Sequence, residues 1–172
     1  MPAVSSTSST FLTRLRIVSI NDVYELANLP RLQTYLTKLS PKPSAVVLAG
    51  DFLSPSTLSS IDGGRGMVAT LRAVGMTHVS LGNHEQDLRL DSLRQRLEDL
   101  SRTTSSSSTT NKSNSRSNRM MTTTTTVVLN SNMQKDLPPK AEWMRSVTKP
   151  YSLVESPCGN VKVRVYGRCV RV

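Results

Sequence analysis

Ala45-Val46-Val47-Leu48-Ala49-Gly50-Asp51 decides the fold. Five apolar residues run without polar alternation, the pattern of a strand covered on both faces, and the chain then turns at Gly50-Asp51. Two further stretches repeat this design. Leu15 to Ile20 ends in Asn21-Asp22, and Thr77 to Leu81 ends in Gly82-Asn83-His84-Glu85. Between the first two, Leu29, Leu32, Leu36 and Leu39 recur at helical steps, entered near Asn28-Leu29-Pro30 and stopped by Pro41 and Pro43. Gly63, Gly64 and Gly66 read as a loop, Met67 to Val74 as a helix capped by Gly75, and Leu90, Leu93, Leu97 and Leu100 as another helical stripe. This alternation predicts an α/β fold with a parallel, helix-covered sheet.

Residues 101–126 change texture to Ser, Thr and Asn with a few cations and no acid. Such a segment buries too little apolar area to offset its ordering entropy, so it reads as a disordered insertion, as does a tail over 1–14. Val127-Val128-Leu129-Asn130 resumes as a fourth strand. After a polar stretch through Trp143, Tyr151 to Glu155 and Val161 to Val165 alternate in period two around Pro157-Cys158-Gly159-Asn160, a hairpin signal. One domain therefore runs from 15 to 100 and continues from 127 to 172.

The net charge of +10 lies largely outside the motif-bearing part, since residues 22–100 hold eight basic and nine acidic side chains. Aromatic residues make up 4% of the chain, too few to interleave a basic nucleic-acid surface, and the excess charge reads as solvated surface. No stretch has the length and apolarity of a membrane span. The N-terminus has no apolar h-region, although Arg14 and Arg16 ahead of the first acid leave an organelle transit peptide open. Cys158 and Cys169 lack metal-site spacing and read as reduced thiols, which points to the cytoplasm.

Asp22, Asp51 and Asn83 each follow a strand, at intervals of 29 and 32 positions, one βαβ crossover apiece. In an open α/β sheet ligands bind at that edge. Two carboxylates and an amide oxygen there are hard donors for divalent cations, and His84, oriented by Asp87, can contact a phosphoryl group or leaving oxygen. Each residue alone has a plainer explanation. An Asp after a strand is often a cap, Asn83 a turn former, and Glu85 and Asp87 complements to a helix dipole. His78 points outward from the third strand and reads as structural.

Asp22-Val23-Tyr24, Gly50-Asp51-Phe52-Leu53-Ser54-Pro55-Ser56 and Gly82-Asn83-His84-Glu85-Gln86-Asp87 together resemble the first three blocks of the calcineurin-like metallophosphoesterases, in their 5′-nucleotidase branch. The resemblance covers roughly Leu15 to Leu100, with weaker similarity at Val127 to Met133 and the hairpin. It implies part of an α/β/β/α sandwich, mainly its first sheet plus a hairpin, and two divalent cations of the Zn, Mn, Mg or Fe type. It also implies hydrolysis of nucleotides or other phosphomonoesters. By the same resemblance Asp22 binds the first metal, Asp51 bridges both, Asn83 binds the second and contacts substrate, and His84 stabilises the transition state with Asp87.

Two departures qualify this. Tyr24 stands where the family usually has His, and is either a ligand through a phenolate or a wall of the site. The chain has only two histidines, His78 and His84, so the family's later metal-binding histidines are absent. The end at Val172, just after Tyr166-Gly167-Arg168, reads as a truncated or N-terminal part of a longer enzyme. A sheet face without its covering layer is then open to association. The alternative readings are a catalytically inactive module that binds metal or nucleotide, and a fragment without a function of its own.

Overall fold

A computed structural model describes residues 13–103, 125–133, 135 and 137–169. The expected disordered tail and insertion fall almost wholly outside these residues. At their described margins, Ser101 closes a helix and Thr126 is buried, its hydroxyl donating to Met76 O at 2.8 Å.

Five parallel strands lie in chain order: β1 (Ile17–Ile20), β2 (Ala45–Leu48), β3 (His78–Ser80), β4 (Val127–Leu129) and β5 (Thr148–Lys149). The connections carry α1 (Leu29–Lys38), α2 (Thr57–Asp62), α3 (Arg65–Val74), α4 (Leu90–Ser101) and α5 (Met144–Val147). Right-handed crossovers between sequential neighbours put these helices on one face. There Val46, Leu48, Val79 and Val128 join Leu29, Leu36, Met67, Val68, Leu71, Leu93, Leu97 and Leu100 in one apolar core. Of the leucine stripes, Leu29 and Leu36 of α1 and Leu93, Leu97 and Leu100 of α4 are buried, while Leu32, Leu39 and Leu90 are half-buried. Gly75, in the left-handed conformation, closes α3 by donating to Leu71 O and Arg72 O.

The second face presents the alternate residues of each strand. An antiparallel hairpin, β6 (Ser152–Glu155) with β7 (Lys162–Val165), reaches this face where Ser152 Oγ lies 3.0 Å from His78 Nε2. The chain beyond β7 follows, bringing Gly167 so close that a Cβ there would sit 2.5 Å from Leu129 Cβ and 2.8 Å from Ser80 Cβ.

Four features differ from the sequence reading. Residues 57–62 form α2, because Ser56 and Ser59 cap each other reciprocally, the Ser59 N–H donating to Ser56 Oγ at 2.9 Å and the Ser56 N–H to Ser59 Oγ at 3.1 Å. Gly66 belongs to α3 rather than to a loop. Between the polar stretch that ends at Trp143 and the hairpin lie α5 and the edge strand β5, both too short for periodicity to register. His78 does not project into solvent. It is buried between sheet and hairpin.

Both ring nitrogens of His78 have hydroxyl partners, Nδ1 lying 2.8 Å from Thr77 Oγ1 and Nε2 3.0 Å from Ser152 Oγ. The Thr77 hydroxyl also accepts from Val46 N–H at 2.9 Å, so it links the ring to β2. Burial pushes the His78 pKa below its ordinary 6.5.

A folded-state pKa below the unfolded one gives stability that is complete above the ordinary value and declines as pH falls through it. Urea midpoints of the wild type and His78→Gln, compared from pH 7.5 to 5, are expected to converge on acidification. Parallel profiles would contradict a neutral, buried His78. Leu97→Ala, which opens the core between α4 and the sheet, is expected to cost about 2–5 kcal/mol in the same assay with an unchanged denaturant slope.

Candidate active site

The β1, β2 and β3 C-terminal ends meet at one edge of the sheet. Gly50 and Gly82 allow this, because their backbones touch. Gly50 has φ +101°, and a Cβ on it would lie 2.8 Å from Gly82 Cα. A Cβ on Gly82 would in turn meet the Asp51 carboxylate at 2.2 Å. The chain passes from Gly50 into Asp51 after β2 and from Gly82 into Asn83 and His84 after β3, while β1 leads through Asn21 to Asp22.

Asp22 and Asp51 share one uncommon conformation. Both have positive φ, 53° and 55°, the only non-glycine residues to do so among those described. Left-handed backbone costs an L-residue roughly 1–2 kcal/mol and persists only where its surroundings impose it. The surroundings are visible: Asp22 N–H donates to Gly50 O at 3.3 Å and Val23 N–H to Asp51 O at 3.0 Å, so the two loops are laced together. Asp51 Oδ1 then accepts the His84 N–H at 2.9 Å, joining the third loop.

His84 opens a single 3-10 turn, His84–Asp87. Its Nδ1 lies 2.8 Å from Asp87 Oδ2, and since a carboxylate only accepts, Nδ1 holds the proton and Nε2 faces outward. The Ser54 hydroxyl donates to the same Asp87 oxygen at 3.3 Å. The hydrogen bond to Asp87 is the main reason the His84 pKa is raised above 6.5, with the charges of Asp87, Asp51 and Glu85 adding to it. Asn83 precedes the turn on the same rim, half-exposed.

Tyr24 donates its hydroxyl to Asp22 Oδ1 at 2.9 Å, and Asn21 Nδ2 donates to Asp22 Oδ2. Burial and the Asp22 hydrogen bond push the Tyr24 pKa up to about 12, and its ring stands edge-on to His84 at 6.2 Å. As placed, it is a neutral wall of the rim.

Sequence reasoning missed Glu85. Its carboxylate is buried and accepts four main-chain N–H groups, from Asp51, Phe52, Leu53 and Gly82. An account of the unpaired N–H groups in the turns after β2 and β3 would have found it. Cys169 was missed as well. It is buried, with its thiol donating to Gly82 O at 3.2 Å, and neither cysteine is in a disulfide.

The rim thus gathers Asp22, Asp51, Asn83, His84 and Asp87, with Tyr24 beside them. Among the described residues no group of three or more His, Cys, Asp or Glu side chains is arranged to hold a metal ion. The oxygen donors suit part of the shell of a hard divalent cation, and their chemistry fits that group to this extent.

Solved structures similar to this chain are phosphoesterases. It superposes on the 5′-nucleotidase precursor of Thermus thermophilus with a TM-score of 0.62 at 17% identity, over 91% of this chain and 28% of that one. Haemophilus influenzae NAD nucleotidase gives 0.58 at 20% identity, over 91% and 26%. The calcineurin-like phosphoesterase YfkN from Bacillus subtilis gives 0.54 at 15%, over 91% and 48%. No family model and no curated protein matches the sequence. The helix-covered parallel sheet with a hairpin is thus part of the α/β metallophosphoesterase fold, and the chain spans between a quarter and a half of the length of these neighbours.

A raised His pKa means the Asp87 contact stabilises the fold fully below the ordinary value and ceases to do so as pH climbs through the raised one. In an NMR titration of the His84 ring, Asp87→Asn is expected to move the midpoint down toward 6.5. An unmoved midpoint would show that Asp87 does not orient the imidazole.

Proposed function

We propose that this edge is the part of a metal-dependent phosphoester hydrolase site contributed by the first three strands, acting on nucleotides or other phosphomonoesters. The observation that carries the reading is the pair of left-handed aspartates on adjacent strand tips, with Asp51 bound to the His84 N–H. Asp22, Asp51 and Asn83 would hold the cations, of the Zn, Mn, Mg or Fe type. Bound there, such ions neutralise phosphoryl charge and acidify water.

The chain's own residues do the rest. Asp87 keeps the His84 proton on Nδ1 and favours the charged ring, so Nε2 can donate to a leaving oxygen. Ser54 steadies Asp87, and Tyr24 donates its hydroxyl to Asp22 and holds that carboxylate in place.

One observation favours a second reading, a binding module without turnover. Tyr24 already satisfies Asp22 Oδ1, and no third acidic, His or Cys ligand completes a cluster among the described residues. Phosphate release from AMP with Mn²⁺ or Zn²⁺, measured with calorimetry on the same samples, separates the two. Hydrolysis that falls about 10²–10⁴-fold in His84→Ala supports the enzyme. Binding of metal and AMP without release supports the module, and binding of neither removes both.

A further inference from the structure

Glu85 lies in the middle of the rim and is 1% exposed. Each of its oxygens takes two donors. Oε2 accepts Gly82 N–H at 2.6 Å and Asp51 N–H at 3.0 Å, and Oε1 accepts Phe52 N–H at 2.8 Å and Leu53 N–H at 3.0 Å. Three donors belong to the loop leaving β2 and one to the loop leaving β3.

We propose that Glu85 is the positioning residue of the site: its carboxylate fixes the left-handed backbone of Asp51 and so aims the Asp51 carboxylate into the rim. Two neighbouring groups of one turn grip Asp51 at both ends. Glu85 holds its N–H, and the His84 N–H holds its Oδ1. With φ at 55°, Asp51 is held at its N–H by Glu85, at its carbonyl by the Val23 N–H and at its Oδ1 by the His84 N–H, so a turn to a common conformation would pull these contacts apart. A glutamine cannot take over this role. It has one acceptor oxygen, and its NH₂ would confront two of the four donors. Glu85 touches no reacting atom; it acts through Asp51.

The expectation about metal rests on the proposed function; the expectation about the backbone stands alone. Wild type, Glu85→Gln and Leu97→Ala, each as the full chain, are compared by amide hydrogen exchange and by Mn²⁺ titration followed by electron paramagnetic resonance. Glu85→Gln is expected to speed exchange at Asp51, Phe52, Leu53 and Gly82 by about 10–100-fold beyond the change in sheet amides. It is also expected to raise the Mn²⁺ Kd by about 10–100-fold. Leu97→Ala, a destabilised control remote from the rim, is expected to keep the wild-type Kd.

Exchange at the four amides that rises only in step with the sheet would overturn the proposal, because it would reduce Glu85 to general stability. An unchanged Kd in Glu85→Gln would overturn it too. A wild type that binds no Mn²⁺, with the four amides still selectively exposed in Glu85→Gln, would instead sink the proposed function and uphold the positioning.

Discussion

Two liabilities cancel in the hydrogen bonds of Glu85. Parallel strands deliver their connecting loops to the same edge, and sharp turns there leave main-chain N–H groups that neither helix nor sheet can pair. Each buried N–H left unpaired costs about 1–3 kcal/mol. A buried carboxylate, in turn, is costly to remove from water unless its lone pairs are taken up. With four N–H groups on one carboxylate each offsets the cost of the other, and the β2 and β3 loops are tied together. The remaining geometry of the edge depends on this. Phe52 and Leu53, buried in the helix-side core, anchor the same loop from below.

That anchorage explains how the rim sustains strained conformations where the chemistry would lie. Asp22 and Asp51 leave their strands with positive φ, and the backbone bonds between them tie one strained residue to the other. Gly50 and Gly82 let the strand ends approach until the Asp51 carboxylate sits against the third loop. The result is a rim built from strand tips rather than from long loops, with its polar groups held by main-chain contacts.

Most of the sheet was legible because its strands and helices announce themselves by period. The all-apolar run at 45–49, the leucine stripes of α1 and α4 and the regular interval between Asp22, Asp51 and Asn83 each follow from a repeating burial pattern. What escaped was set by single contacts. Ser56 starts a helix because Ser59 returns its hydrogen bond, and Thr148-Lys149 is a strand because β4 lies beside it. His78 is an inside residue because a hairpin far along the chain covers it. Glu85 shows the limit most clearly: next to His84 and ahead of Asp87 it reads as one more surface acid, and only the fold shows that it points inward at another loop.

The two faces of the sheet are bound in different ways, and this bears on how the rim is supported. The helix side is an apolar core that would tolerate small shifts by repacking. The hairpin side is held by directional contacts. Ser152 reaches His78 Nε2, Asn132 pairs with both backbone groups of Cys169, and the Cys169 thiol reaches Gly82 O. The last contact lands on the same glycine whose N–H Glu85 holds. Gly82 is therefore gripped from both sides, by a carboxylate at its N–H and a thiol at its carbonyl. The strand-tip geometry of β3 depends on the returning chain after β7 as well as on its own turn. A site that looks confined to the first 90 residues is in this way coupled to residues nearly as far again along the chain.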